Sequence, residues 1–101
     1  MDPDLPDNIN ISDVVVSTAG HDQGNLFYVI GEDPVYLMLA NGKDRTLDKP
    51  KRKKRKHVQK VLRSETRVAA KLASGDKVLN SELRRDLAYI AREMQANNLG
   101  G

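Results

Sequence analysis

Residues 13 to 30 read "DVVVSTAGHDQGNLFYVI". Two runs rich in β-branched and aromatic residues flank a polar interval that holds Gly20 and Gly24. Val, Ile, Phe and Tyr suit the pleated, half-buried surface of a sheet, so the stretch predicts two strands joined by a tight reversal. Such a reversal needs residues that accept positive φ, which glycine does because it has no Cβ. On that ground a valine at Gly24 is expected to do more damage than a valine at Gly75.

Working outward, "PVYLMLA" (34–40) predicts a third strand. Alternation puts Phe27 and Val29 on one face of the second strand, and Val35, Leu37 and Leu39 on one face of the third. These are the candidate core. Asn41-Gly42 is a strong two-residue hairpin signal. It predicts a fourth strand over "KDRTLDK" (43–49), with Lys43, Arg45 and Leu47 on one face, Asp44, Thr46 and Asp48 on the other, and Pro50 ending the ladder. "HVQKVL" (57–62) either closes a small barrel as a fifth strand or begins a helix; six residues do not separate the two.

From Ser64 the texture turns helical. "SETRVAAKLASG" (64–75) has a capping serine, alanines and a terminal glycine, with Val68, Ala69 and Leu72 as its apolar positions. "NSELRRDLAYIAREM" (80–94) places Asn80 or Ser81 at the N-cap, and Leu83, Leu87, Ile90 and Met94 on one stripe. That stripe is too narrow to stand alone in water and must pack on something. The tail "QANNLGG" (95–101) is expected to fray.

A chain of 101 residues suits one small domain plus an appendage. The absence of cysteine removes disulfides, thiolate metal sites and a cysteine nucleophile, and fits a reducing compartment, with the cytoplasm as the expected location. "MDPDLPDNIN" at the start is acidic and proline-broken, and no apolar run approaches a membrane span, so neither a leader nor a membrane partner is expected.

The net charge of +3 conceals three zones. Residues 1–42 carry seven acids (Asp2, Asp4, Asp7, Asp13, Asp22, Glu32, Asp33) and no Lys or Arg. Residues 43–63 carry eleven Lys or Arg against Asp44 and Asp48, and residues 64–101 are near balance. The centre of the basic zone is "KPKRKKRKHVQK" (49–60), with Lys49, Lys51, Arg52, Lys53, Lys54, Arg55, Lys56, His57 and Lys60.

Three readings compete for this run: a solvated or disordered charge stretch, a nuclear-localisation signal, and an edge that meets phosphate. Its place between structured segments and the abrupt change of sign favour the third, in which cations release counterions from a nucleic acid. A polyanion would repel the acidic zone, which is then expected to face solvent away from the basic edge.

Catalysis is not expected, because two histidines, no cysteine and scattered carboxylates do not assemble an acid–base pair or a nucleophile with its base. His21 and His57 lack partners at metal-ligand spacing, so no metal, cofactor or small-molecule substrate is expected. The only aromatics are Phe27, Tyr28, Tyr36 and Tyr89. With at least one of them in the core, a multi-ring stacking platform for single strands is disfavoured. Contact with the phosphates and 2′-hydroxyls of folded RNA fits better, although composition does not separate RNA from DNA.

The strand that enters a Gly-x-x-x-Gly loop at Gly20 and Gly24 and leaves as an apolar strand, followed by Asn41-Gly42 and "LDKPKRKKRKHVQ", resembles a KOW motif. The arrangement is similar to KOW-domain ribosomal proteins of the large subunit and their small bacterial relatives. The resemblance covers about residues 10–62. It implies a mainly β fold with α, a small SH3-like β-barrel followed by a C-terminal helical extension.

It further implies a part in translation, with RNA, and ribosomal RNA of the large subunit in particular, as the partner. Contacts would come from the loop Gly20, His21, Asp22, Gln23 and Gly24 and from the basic segment Lys49–Lys60, joined by Lys43 and Arg45 on the preceding strand. Loops of the family usually carry Arg or Lys between the glycines. Here they hold His21, Asp22 and Gln23, which shifts weight to the basic segment, with Lys51 to Lys56 as the main contacts.

The domain plan is then an acidic flexible N-terminus (1–9), the barrel with its basic edge at 49–60 (10–62), and a helical extension with a flexible tail (63–101). KOW domains also dock on proteins in the transcription elongation machinery. On that alternative reading, the helix over 81–95 would be the docking surface.

Overall fold

The computed structural model describes residues 8–100. Strands β1 (Asp13–Ser17), β2 (Leu26–Glu32) and β3 (Tyr36–Ala40) form an antiparallel meander, continued by β4 (Lys51–Lys54). One 3₁₀ turn (Arg55–His57) then leads into β5 (Val58–Arg63), which returns beside β1. The order β4-β3-β2-β1-β5 makes an open five-stranded sheet with β4 and β5 at its edges. Helices α1 (Arg67–Ser74) and α2 (Asn80–Gly100) complete a mixed β/α domain.

Both faces of the sheet are apolar, and strict alternation sends neighbouring residues to two cores. One face carries Val14, Tyr28 and Ala40, which pack with Val68, Ala69, Leu83, Leu87 and Ile90 of the helices. The other carries Val15, Phe27, Val29, Leu37, Leu39 and Val58, joined by Ile9. No helical residue belongs to this second cluster, yet Phe27, Val29, Leu37 and Leu39 are fully buried, so the sheet must curl around it. Register slips between Val14 and Val15 and between Val29 and Gly31 supply the bending, because an extra residue on one strand kinks it and increases its twist.

The strands expected within 13–19, 25–30 and 34–40 form as β1, β2 and β3, and of 57–62 all but His57, which closes the 3₁₀ turn, is strand rather than helix. The fourth strand does not form over 43–49. Those residues are a loop with only an isolated bridge between Thr46 and Lys49, and β4 is the basic run itself, which Pro50 precedes rather than follows. Of the Asn41-Gly42 pair only Gly42 has positive φ (77°), so a two-residue hairpin turn is not made. Instead Asn41 Oδ1 accepts from the Lys43 and Arg45 backbone N–H groups and opens a wide loop. That loop docks on α2: Leu47 N–H donates to Asn80 Oδ1 (2.8 Å), and a Cβ at Gly42 would lie 2.2 Å from the Asn80 carbonyl oxygen.

Four local expectations shift for identifiable reasons. Val35 is 53% exposed and outside the core, because Asp33 Oδ1 accepts from the Val35 and Tyr36 N–H groups and holds a turn there. Ile9, assigned to a flexible N-terminus, is buried in the curled core. The cap of α1 is Thr66, whose Oγ1 accepts from Ala69 N–H, while Ser64 is buried against the Tyr28 hydroxyl. Helix α2 already includes Asn80 and Ser81. Leu79 sits at its N-cap, accepting from Leu83 N–H and donating its own N–H to Glu82 Oε1.

At its other end α2 continues to Gly100, through the tail expected to fray. The stripe Leu83, Leu87, Ile90 and Met94 packs on the sheet as its spacing required. The helical third is therefore half of a core, not an appendage. A polar cluster ties the layers together: the Tyr28 hydroxyl donates to Asp86 and meets Ser64 (2.8 Å), and Thr66 Oγ1 donates to Asp86 (2.8 Å). Burial, then the bond to Asp86, pushes the Tyr28 pKa up to about 12.

Candidate nucleic-acid interface

Because the basic run is a strand, alternation sorts its cations. Register pairs Lys51 with Leu39 and Lys53 with Leu37, which puts both lysines on the face that carries the curled core. Arg52 pairs with Met38 and Lys54 with Tyr36, on the opposite face.

The inner row meets the Gly20–Gly24 loop. Lys53 Nζ donates to Asp22 Oδ1 (2.8 Å) and to the Ala19 carbonyl (2.7 Å), and its side chain is only 7% exposed. Lys51 Nζ lies 3.0 Å from Asp22 Oδ2, and Ser17 Oγ donates to Asp22 Oδ1 (2.7 Å). Burial works against the Asp22 carboxylate, but the bonds from Lys53, Ser17 and Lys51 outweigh it and hold the group well below the usual carboxylate range. Gly20 (φ 85°) and Gly24 (φ 90°) frame this loop in the left-handed region, as the spacing of the two glycines required.

Two further pairs cross from the acidic third of the chain to the basic third. Arg55 bonds Glu32 (2.6 Å) and the carbonyls of Asp33 and Ile9. Lys60 pairs with the buried Asp13 (3.2 Å) and donates to the Asn8 carbonyl. The acidic zone was expected to turn away from the basic edge. Instead Asp13, Asp22 and Glu32 are the partners that neutralise part of it, because strands β1 and β2 lie in the same small sheet as β4 and β5. Composition alone shows the run as one charge block; a period of two over 51–54 separates the rows.

Six of the candidate cations, Lys43, Arg45, Lys49, Arg52, Lys54 and Lys56, are exposed and make no ion pair with any described residue. Arg52 and Lys54 share the outer face of β4, Lys56 is exposed on the 3₁₀ turn that follows, and Lys49 is exposed on the loop just before. Lys43 and Arg45 lie on the 41–50 loop. In the Gly20–Gly24 loop, His21 and Gln23 are exposed, while Asp22 is turned inward. His57 is half-buried and its carbonyl accepts from Thr18 N–H.

Among the described residues no group of three His, Cys, Asp or Glu is placed to hold a metal ion, and no helix is long and apolar enough to cross a membrane. No protein-family model matches the chain, and no curated protein matches it.

Proposed function

We propose that this protein is a non-catalytic RNA-binding domain of KOW type, that its curled sheet is an SH3-like barrel, and that it associates with structured RNA such as that of the large ribosomal subunit. The observation that carries the reading is the pair Arg52 and Lys54 on the outer face of β4, with Lys56 exposed on the turn that follows. These cations remain exposed after the neighbouring Lys51, Lys53, Arg55 and Lys60 have been taken up by internal carboxylates. A folded domain whose acids neutralise half of a basic segment and leave the other half exposed presents a surface for phosphates.

The strand order, with β5 returned to β1 by one 3₁₀ turn, supports the barrel reading. So do the two positive-φ glycines at the first reversal. For the protein-docking alternative, Leu83, Leu87 and Ile90 are buried against the sheet, which leaves the exposed side of helix 81–95, with Tyr89, as the surface it would use.

Sedimentation of a host lysate at low and high salt, with and without nuclease, tests the proposal. Co-migration with the large subunit that is lost at high salt is expected. A position at the top of the gradient in every condition would overturn the ribosomal assignment.

A further inference from the structure

The face of the sheet that the helices cover does not end where the helices end. Ala40 lies under them, but Met38 and Tyr36, two and four residues earlier on the same face of β3, run out beside Arg52 and Lys54. There the Arg52 guanidinium carbon sits 3.7 Å from the centroid of the Tyr36 ring. This distance is well inside the range of a cation–π contact. Gly31, the cross-strand partner of Met38, keeps this strip low, since a Cβ there would press on Met38 Cγ at 3.3 Å.

A guanidinium is planar, and this one is held over the Tyr36 ring. Arg52 is exposed, and its side chain makes no ion pair with any described residue, so the guanidinium is accessible to a partner. Such a plane, fixed from beneath by an aromatic ring, is a surface on which an unstacked base can lie. Lys54 stands next on the same side of β4 and Lys56 is exposed on the 3₁₀ turn that follows, so cations for the neighbouring phosphates lie two and four residues along the chain.

We propose that Arg52 on Tyr36 is a stacking site for one unpaired nucleotide, so that this surface selects loops and bulges of RNA over continuous duplex. The inference rests on the RNA-binding reading and adds the class of RNA taken. A platform of several rings is not needed; one ring and one guanidinium make the site.

The test separates stacking from charge. An RNA hairpin with an unpaired loop and a duplex of equal length are titrated against the protein, Arg52→Lys, Tyr36→Leu and Tyr36→Phe over a range of salt. The wild type is expected to prefer the hairpin. Arg52→Lys keeps the charge, so its salt slope should match the wild type, while its hairpin affinity falls about ten-fold and its duplex affinity stays the same. Tyr36→Leu should behave like Arg52→Lys, and Tyr36→Phe like the wild type. Binding with a normal salt slope but equal affinity for the two RNAs, or hairpin affinity unaffected by Arg52→Lys, overturns the stacking site alone. A wild type that binds neither RNA overturns the RNA-binding reading and this inference together.

Discussion

Strand β4 carries two rows of cations one residue apart, and they have opposite fates. Lys51 and Lys53 face the curled core and close on Asp22. Arg52 and Lys54 face outward, one stacked on a tyrosine ring and the other free of any ion pair among the described residues. The residue types are the same, and their position along the pleat decides whether a charge holds the fold or meets a partner. A lysine at an even or odd position of this strand is in effect a different residue.

The largest effect that would sharpen the contrast is on stability. Lys53→Ala leaves the buried Asp22 carboxylate without its nearest cation, and removing one partner of a buried pair costs on the order of 3–5 kcal/mol. The midpoint of thermal unfolding should fall by more than about 10 °C. Lys54→Ala, one residue on, should stay within about 0.5 kcal/mol of the wild type. Equal losses in the two variants would break the division of the strand into rows.

Next in size is the pair of loops at the same end of the sheet. Gly42 and Gly24 both have positive φ, but a Cβ at Gly42 would strike the Asn80 carbonyl, whereas one at Gly24 would meet nothing within 4 Å. Gly42→Ala should cost on the order of 3 kcal/mol, from clash and left-handed strain together, and Gly24→Ala about 1–2 kcal/mol from strain alone. Gly75 (φ 80°) also has nothing within 4 Å, so Gly24 and Gly75 should tolerate replacement about equally, contrary to the ranking expected from the motif. Urea unfolding of the three alanine variants checks the order.

A smaller effect lies in acid. The Asp22 pKa is depressed in the folded protein, so the folded state holds fewer protons there than the unfolded chain. Its stabilisation is therefore present above the unfolded value of about 4 and is lost as pH falls below it. Asp22→Asn should flatten the acid limb of the stability curve, measured as urea midpoints between pH 6 and pH 3. An unchanged acid limb would mean that Asp22 does not hold the inner row.

Much of the architecture was legible because apolar periodicity is local. Strands β1 to β3 and the stripe on α2 follow from spacing alone, since Phe27, Leu37, Leu83 and Ile90 lie where a period of two or 3.6 places them. The fourth strand lies later than local signals place it, because Asn41-Gly42 looks locally like a hairpin turn. Its geometry is instead set by a contact almost forty residues away, at Asn80. Composition marks out the basic segment, but not its division. The acids that claim Lys51, Lys53, Arg55 and Lys60 lie in the first third of the chain, and only the sheet brings them across.

The most direct measurement is the salt dependence of binding to a structured RNA for the wild type and for a variant with Arg52, Lys54 and Lys56 all changed to Gln. Each phosphate contact contributes about 0.7–0.9 to the slope of log affinity against log salt, so the variant should lose about 2–3 from it while melting like the wild type. A variant that melts normally and keeps the full slope would contradict the claim that these exposed cations are the surface that meets phosphate.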